Sequence, residues 1–267
     1  MADRIRLGVL GWPVAHSRSP QMQNAALRAA GLERWRYQLL PVPAELFAQT
    51  VRALPQAGFR GANVTIPHKR AALALAGEAS ERARAIGAAN TLVFDPARGI
   101  EADNTDAPAL IGALPFAPRR KTALVLGAGG SARAAVWALL DAGAAEVRVW
   151  NRHPERAREL CEQLGGSPVA EARPADFLVN CTPVWLAGDR SSFKQLPVNA
   201  DEIRMFGCVV DFAYGDAQTP LIGAALGHGL PVVDGLDLLV GQGALSFEQF
   251  TGRSAPVEEM RAAVRGR

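Results

Sequence analysis

Short apolar runs alternate with longer stretches of helix-forming residues along this chain. The runs Ile5–Leu10, Tyr37–Val42 and Thr122–Leu126 are too short for helices and are followed by glycine or proline, which predicts buried strands. The alanine-rich segment Arg70–Ile86 predicts one long helix. Strands that alternate with helices in this way predict an α/β fold, with a mostly parallel sheet in the N-terminal part.

The pattern also divides the chain into two domains. Residues 1–106 form a first α/β domain, and a proline-rich passage that includes Pro108, Pro115 and Pro118 leads into a second unit over residues 107–235. A last long helix, Gly235–Phe250, follows this unit. Its place in the sequence does not say on which domain it packs.

The second unit opens on a glycine-rich turn between a strand and a helix. Gly127 allows the tight turn, Gly129 lets the backbone approach a pyrophosphate, and Ala132 permits close packing of helix on strand. A second strand, Glu146–Trp150, completes a βαβ unit. Methyltransferases and plain turns use similar loops, but this context favours a Rossmann-type, doubly wound dinucleotide-binding domain. The cofactor-binding candidates in the turn are Gly127, Ala128, Gly129, Gly130 and Ser131.

The end of the second strand indicates which dinucleotide is bound. NAD sites place Asp or Glu there to bind the ribose, whereas an arginine suits the 2′-phosphate of NADP. This chain has Asn151 followed by Arg152, with Arg156 one turn later. We therefore predict NADP, with these three residues at its adenosine end. The alternative is that Arg152, Arg156 and Arg158 form a solvated helix face.

Composition narrows the classes of protein further. The 267 residues are 49% hydrophobic and 21% charged, as in a soluble globular protein, and a net charge of +3 does not indicate nucleic-acid binding. No apolar stretch reaches the roughly 18 residues of a membrane span, and the N-terminus leads directly into a strand, so we expect a cytoplasmic protein. Cys161, Cys181 and Cys208 form no C-x-x-C pair, and the histidines lack ligand spacing. We expect no disulfide and no metal.

Polar residues follow two strands of the first domain. Ser17 and Ser19 lie just past the first strand, where open α/β sheets bind ligands. Asn63 and Thr65 share one face of the third strand, with Lys69 beyond, so amide, hydroxyl and ammonium can converge on one polar ligand. In the alternatives, Ser19 is only a helix cap and Lys69 is a surface lysine.

Several motifs recur in an order that is specific when they are taken together. They are Gly11-Trp-Pro-Val-Ala-His-Ser-Arg-Ser-Pro20, Asn63-Val-Thr-Ile-Pro-His-Lys69, Ala89-Asn-Thr91, Asn104-Thr-Asp106, Gly127-Ala-Gly-Gly130, Asn151-Arg152, Asp234-Gly-Leu236 and Gln242. On these motifs the chain resembles the shikimate dehydrogenase family over essentially its full length.

The resemblance implies roles for individual residues. Lys69 and Asp106 match the family's catalytic pair. The positions that match substrate-binding residues are Ser17, Ser19, Thr65, Asn90, Tyr214 and Gln242, and further matches on the cofactor side are Glu81, Phe212 and Gly235. It also implies that the C-terminal helices, residues 236–267, return to the first domain. A homodimer is compatible with the sequence, which does not determine the oligomeric state.

The implied reaction is the reversible reduction of 3-dehydroshikimate to shikimate by NADPH, in the chorismate pathway of aromatic amino acid biosynthesis. Reduction leaves an alkoxide-like oxygen, and Lys69 can supply both its proton and a positive charge. A neighbouring Asp106 would keep the ammonium charged and oriented, which argues against a Schiff-base role for Lys69.

Four positions depart from the family pattern. Gln23 replaces a usual histidine, Ala107 and Trp185 replace glycines, and Gly243 replaces an alanine. An indole at Trp185 is expected to narrow the space beside the nicotinamide and to alter the preference for substrate or cofactor. The alternatives are a quinate/shikimate-type or aminoshikimate-type paralogue, and a non-catalytic NADP-binding sensor. The presence of both members of the reacting pair argues against the sensor.

Overall fold

The chain folds into two compact α/β units. In the computed structural model, which describes residues 4–185 and 193–266, one unit comprises Met1–Asp106 with Leu239–Arg267, and the other comprises Ala107–Leu238. The predicted two-domain α/β class is therefore confirmed.

The first unit is built on a six-stranded sheet of order β2-β1-β3-β5-β6-β4. Its N-terminal elements are β1 (Ile5–Gly11), α1 (Ser19–Ala29), β2 (Trp35–Pro41), α2 (Phe47–Ala53), β3 (Phe59–Val64), α3 (Lys69–Leu75), β4 (Glu78–Ala79), α4 (Glu81–Ile86), β5 (Thr91–Asp95) and β6 (Gly99–Asp103). The C-terminal part adds α10 (Val257–Arg265) and most of α9 (Gly235–Thr251), whose residues from Leu239 onward belong to this unit.

The sheet of the first unit is mixed. β1 lies parallel to β2 and β3, and β4 lies parallel to β6, but β5 is antiparallel to both β3 and β6. The β5–β6 hairpin closes through Asp95, whose Oδ1 accepts the backbone N–H groups of Ala97 and Arg98, and through Gly99 at φ +81°. A mostly parallel sheet was predicted, and this local turn explains the difference.

The predicted single helix Arg70–Ile86 is wrong, because two short helices with a strand between them occupy this stretch. The chain leaves α3 at Gly77, whose N–H donates to the carbonyl of Ile100 at 2.9 Å, and β4 then pairs with β6. Ser80 starts α4 by accepting a hydrogen bond from the Ala83 N–H at 3.1 Å. Pairing with β6 and the serine cap therefore override the local helix propensity.

The second unit is built on an all-parallel sheet of order β12-β11-β10-β7-β8-β9. Its elements are α5 (Asp106–Ala113), of which only the first residue belongs to the first unit, β7 (Thr122–Leu126), α6 (Gly130–Asp141), β8 (Glu146–Trp150), α7 (Pro154–Leu164), β9 (Ser167–Pro168), β10 (Ala175–Asn180), β11 (Phe206–Asp211), α8 (Pro220–Gly227) and β12 (Val232–Val233).

The central strand β7 is buried on both faces. Ala123 and Val125 belong to a core that includes residues of α6 and α7, whereas Leu124 and Leu126 belong to a second core that includes residues of α8. This double burial explains why the strand reads as a continuous apolar run. Among the described residues, no helix combines the length and apolarity needed to cross a bilayer.

Candidate active site

Lys69 and Asp106 form a buried ion pair in the first unit. Each is the first residue of a helix, α3 and α5 respectively, and Nζ of Lys69 lies 2.5 Å from Oδ2 of Asp106. Their side chains are only 9% and 7% exposed. His68, just before Lys69, stacks on Phe47 and hydrogen bonds to the carbonyl of Val42, which fixes the start of α3. The predicted pair is thus brought together, and the alternative that Lys69 is a surface lysine is wrong.

Asn90 holds the other oxygen of this carboxylate. Its Nδ2 donates to Oδ1 of Asp106 at 2.8 Å, while the Asp106 backbone N–H donates to Oδ1 of Asn104 at 3.1 Å. Both carboxylate oxygens therefore have a defined donor, and the carboxylate cannot turn away from Lys69 without losing one of them.

Three predicted substrate residues lie at the ends of β1 and β3. The Ser17 hydroxyl donates to Oγ of Ser19 at 3.2 Å, and Oγ of Ser17 also accepts from the Ser19 backbone N–H at 3.3 Å. The Thr65 N–H donates to the carbonyl of Leu10 near the end of β1. A Cβ added to Gly11 would lie 2.5 Å from the Thr65 methyl, so glycine leaves the room that this side chain needs. The Ser17 hydroxyl therefore contacts Ser19, the residue at which α1 begins.

Gln242 reaches this part of the first unit from α9. Its Oε1 lies 3.4 Å from Nδ2 of Asn90, and its own Nε2 donates to the carbonyl of Leu239 at 2.8 Å. The C-terminal helix therefore contributes an amide next to the residue that holds Asp106.

A buried polar cluster behind Asn90 was not identified from the sequence. Its members are Tyr37, Asn63, Thr91, Thr105 and Ser246, all at most 5% exposed and linked by hydrogen bonds. Of these residues, the sequence pattern indicates only Asn63, as a ligand-binding group. Two signals could have found the others: the threonines directly follow Asn90 and Asn104, and Ser246 follows Gln242 by four residues, which places both on one helix face.

The glycine turn of the second unit has the shape that a dinucleotide needs. Gly127 has φ +115°, and a Cβ added there would lie 3.2 Å from the backbone of Cys181, so only glycine fits. Gly129 precedes the 12-residue helix α6, and a Cβ added to it would meet no heavy atom within 4 Å. The turn therefore combines close backbone packing on one side with open space at a helix N-terminus, which suits a pyrophosphate.

The exposed end of β8 carries cationic side chains. Arg152 and Arg156 are exposed, while Oδ1 of Asn151 accepts the backbone N–H of His153 at 2.9 Å and so shapes the turn. Glu155 is also exposed here, with Oε1 3.8 Å from Nδ1 of His153. Two guanidinium groups outnumber this carboxylate, so the donor set fits a 2′-phosphate.

A third loop of the second unit follows β11. Asp211 is fully buried, and its carboxylate accepts hydrogen bonds from Asn180, from the Ala213 N–H and from the Thr219 hydroxyl at 2.6–3.0 Å. Burial raises the pKa of Asp211 to about 6, although these hydrogen bonds act in the opposite direction. These contacts fix the start of the loop that carries Tyr214.

The remaining predicted residues are placed as follows. Phe212 and Tyr214 are half-buried in the loop after β11, and a Cβ added to Gly235 would lie 2.4 Å from the Ala213 carbonyl oxygen, so this loop requires glycine there. Glu81 is exposed at the start of α4, in the first unit, whereas the other predicted cofactor residues lie in the second unit.

Trp185 packs into the core of the second unit. Its indole is 8% exposed, belongs to the same core as Leu124 and Leu126, and contacts Phe193 edge-on with ring centroids 5.5 Å apart. This burial contradicts the expectation that the ring projects into space beside a nicotinamide. Apolar burial of the large ring explains the difference.

Comparisons with known families agree with this arrangement. Residues 9–92 match a family model described as the shikimate dehydrogenase substrate binding domain, residues 115–181 match one described as shikimate/quinate 5-dehydrogenase, and residues 235–265 match the shikimate 5′-dehydrogenase C-terminal domain.

Individual relatives match over nearly the whole chain. The NADP(+)-linked shikimate dehydrogenase of Anaeromyxobacter dehalogenans (strain 2CP-C) is 44% identical, covering 97% of this chain and 95% of the relative. The shikimate dehydrogenase of Dinoroseobacter shibae is 40% identical, covering 96% of this chain and 95% of the relative. Among solved structures, Thermus thermophilus shikimate 5-dehydrogenase with NADP(H) and shikimate has a TM-score of 0.86, 40% identity and coverage of 98% and 99%. The Aquifex aeolicus shikimate dehydrogenase has a TM-score of 0.89, 31% identity and coverage of 99% and 100%.

Proposed function

Because this chain belongs to the shikimate dehydrogenase family, we propose that it catalyses the reversible NADPH-dependent reduction of 3-dehydroshikimate to shikimate, a step of aromatic amino acid biosynthesis. The observation that carries this proposal is the buried pair of Lys69 and Asp106, 2.5 Å apart, with Asn90 on the second carboxylate oxygen. A buried cation, oriented by a carboxylate at the edge of a polar site, is what a developing alkoxide requires.

Lys69 is the proton donor in the direction of reduction. Its ammonium group places a positive charge and a transferable proton where the carbonyl oxygen of the substrate gains electron density. Asp106 holds the ammonium in place and balances its charge, and Asn90 prevents the carboxylate from rotating. In the direction of oxidation, the neutral amine of Lys69 accepts the hydroxyl proton.

Hydroxyl and amide groups around this pair bind the substrate. Ser17, in the loop after β1, and Ser19, at the start of α1, provide two adjacent hydroxyls, and Thr65 provides a third directly after β3. Gln242 adds an amide beside Asn90, and the family resemblance assigns Tyr214 to the substrate as well. Such neutral donors suit a ligand with one carboxylate and several hydroxyls. We assign substrate binding to the first unit on this basis.

The second unit binds NADP, whose reduced form, NADPH, would supply the hydride for reduction of the substrate. The pyrophosphate is assigned to the turn Gly127, Ala128, Gly129, Gly130 and Ser131, because the open space at Gly129 faces the N-terminus of α6. Asn151, Arg152 and Arg156 hold the adenosine ribose and its 2′-phosphate. Glu81, Phe212 and Gly235 complete the cofactor side of the assignment.

We place the enzyme in the cytoplasm, without a nucleic-acid partner. Its three cysteines are free thiols, which suits a reducing compartment, and its net charge is only +3. A homodimer is the proposed assembly. Light scattering tests the assembly.

Oxidation of shikimate with NADP tests the proposed chemistry directly, because it forms NADPH and releases one proton. The initial rate should rise from neutral to alkaline pH, because oxidation removes a proton from the substrate hydroxyl. A rate that stayed flat or fell over this range, while circular dichroism showed the enzyme to be folded, would count against Lys69 as the base.

A further inference from the structure

Ser246 is a fully buried serine on α9, one helical turn after Gln242. We propose that Ser246 is a positioning residue, which holds the Asn90 amide in the orientation that presents Asp106 to Lys69. This inference rests on the proposed function, since it names a residue that acts on the reacting pair through another residue.

Four groups surround the Ser246 hydroxyl. Its Oγ lies 2.8 Å from Nδ2 of Asn63, 2.9 Å from Oγ1 of Thr91 and 3.2 Å from Oγ1 of Thr105. It also donates to the carbonyl of Gln242 at 2.9 Å. Ser246 thus joins α9 to residues at the ends of β3, β5 and β6.

The direction of these hydrogen bonds follows from Tyr37. The phenolic O–H of Tyr37 donates to Oδ1 of Asn63 at 2.9 Å, so the NH₂ group of Asn63 faces Ser246 and donates to it. A serine hydroxyl has one proton and two lone pairs. Its proton goes to the Gln242 carbonyl and one lone pair accepts from Asn63, which leaves one lone pair for a threonine.

Two threonine protons then have two acceptors. Thr91 is closer to Oγ of Ser246, at 2.9 Å, than to Oδ1 of Asn90, at 3.1 Å. Thr105 lies 3.2 Å from Oδ1 of Asn90, to which its backbone N–H also donates at 2.8 Å. The distances favour giving the Thr91 proton to Ser246 and the Thr105 proton to Asn90, and the reverse pairing also gives each proton an acceptor. In both pairings Nδ2 of Asn90 donates to Oγ1 of Thr105 at 2.9 Å. Without Ser246, both hydroxyls compete for one amide oxygen, and one Asn63 N–H loses its nearest acceptor.

This competition matters for catalysis because Asn90 has a second task. Its Nδ2 donates to Oδ1 of Asp106 at 2.8 Å, and the other oxygen of Asp106 lies 2.5 Å from Nζ of Lys69. An amide plane that rotates to satisfy a different set of hydroxyls moves its NH₂ group away from Asp106. The lysine then loses its fixed position, and displacements of about 1 Å at a reacting group cost on the order of 100-fold in rate.

Ser246→Ala tests the proposal, with Thr251→Ala as the matched control. Thr251 lies on the same helix and makes the same kind of bond, from Oγ1 to the carbonyl of Phe247 at 2.8 Å, but its other hydroxyl contact is the exposed Arg253 N–H. The kcat per NADPH-binding site is measured with shikimate and with shikimate deuterated at the carbinol carbon. Counting sites by NADPH binding removes any loss that is due to unfolded enzyme.

We expect Ser246→Ala to lower this kcat about 10-fold. The isotope effect should be at least as large as in the wild type, and NADPH affinity should be unchanged. Ser246→Thr, which keeps the hydroxyl, should recover most of the rate. Tyr37→Phe removes the proton that orients Asn63, so it should lower kcat in the same direction, and its effect should not add to that of Ser246→Ala.

A Ser246→Ala enzyme with the kcat per site of Thr251→Ala would overturn the positioning role, even if its melting temperature fell. Full additivity with Tyr37→Phe would also contradict it. A wild type that binds NADPH but does not oxidise shikimate would overturn the proposed function, and the role of Ser246 with it.

Discussion

Nε2 of Gln23 donates a hydrogen bond to the backbone carbonyl of Gly243 across 2.9 Å. Two positions that depart from the family pattern therefore meet inside the first unit, where Gln23 on α1 contacts the residue that follows Gln242 on α9. A Cβ added to Gly243 would lie 2.2 Å from Cε of Met22 and 3.4 Å from Nε2 of Gln23. The close approach of α1 and α9 thus depends on this glycine.

Gly243→Ala should lower the free energy of unfolding, although alanine is the better helix former. Propensity favours alanine by about 1 kcal/mol, whereas overpacking in a buried site costs about 1–3 kcal/mol. Met22 is fully buried and cannot swing into solvent, so we expect a net loss of about 1 kcal/mol in urea unfolding. Gly112→Ala is the control, because a Cβ there meets nothing within 4 Å. It should leave stability equal or higher, and equal effects at both glycines would refute the packing argument.

Lys69→Ala should lower kcat by about 100- to 10,000-fold while KM changes far less, because the proton and charge of Lys69 matter most in the transition state. Steady-state kinetics with shikimate and NADP measure the two constants. Lys121→Ala is the control, since Lys121 also pairs with an aspartate, Asp176, at 3.0 Å, but at a half-exposed position. It should retain full activity. A Lys69→Ala enzyme that lost affinity alone would make Lys69 a binding residue.

Arg152→Ala should lower the preference for NADP over NAD by about 10-fold or more, because one charge-assisted hydrogen bond to the 2′-phosphate is lost. The measurement is the ratio of kcat/KM for the two cofactors. Arg158→Ala, which changes an exposed arginine on the helix α7 that follows Arg152, should leave the ratio unchanged. If both variants kept the wild-type ratio, the arginines would be a solvated face and the 2′-phosphate assignment would fail.

Asp211→Asn should change how stability depends on pH. Burial raises the pKa of Asp211 to about 6 in the folded protein, against about 3.9 in an unfolded chain, so the folded state binds the proton more tightly. Its contribution to stability is full below about pH 4 and is lost as the pH rises through about 6. Asparagine cannot titrate and can still donate to the Thr219 hydroxyl.

The difference in unfolding free energy, wild type minus Asp211→Asn, should therefore fall by roughly 2 kcal/mol between pH 4 and pH 7. Urea unfolding at several pH values measures it. Subtracting the two curves cancels Asp103 and Asp176, whose pKa values are lowered and whose contributions have the opposite sign. A pH-independent difference would show that Asp211 does not titrate in this range.

Local patterns were enough to predict the dinucleotide unit. Residues next to one another in the sequence specify the strand β7, the turn at Gly127 and the helix α6. Gly127 adopts φ +115°, a backbone conformation that favours glycine, so a glycine at this point indicates the turn. The ion pair of Lys69 and Asp106 was available from the family resemblance alone.

Features that depend on long-range pairing were not predictable. The break between α3 and α4 follows from the pairing of β4 with β6, which local helix propensity does not report. The roles of Ser246 and Thr91 depend on the particular contact between α9 and the start of β5, and the burial of Trp185 depends on the core formed with Leu124 and Leu126. In each case the deciding contact joins residues far apart in sequence.

The most direct test of the central claim is one set of initial rates, with shikimate or quinate each paired with NADP or NAD and NADPH or NADH absorbance as the readout. We expect fast turnover with shikimate and NADP and much slower turnover with the other three pairs. Equal or faster turnover of quinate would indicate a paralogue with a different substrate. No turnover with any pair, from an enzyme that binds NADPH, would contradict the assignment as shikimate dehydrogenase and favour a non-catalytic sensor.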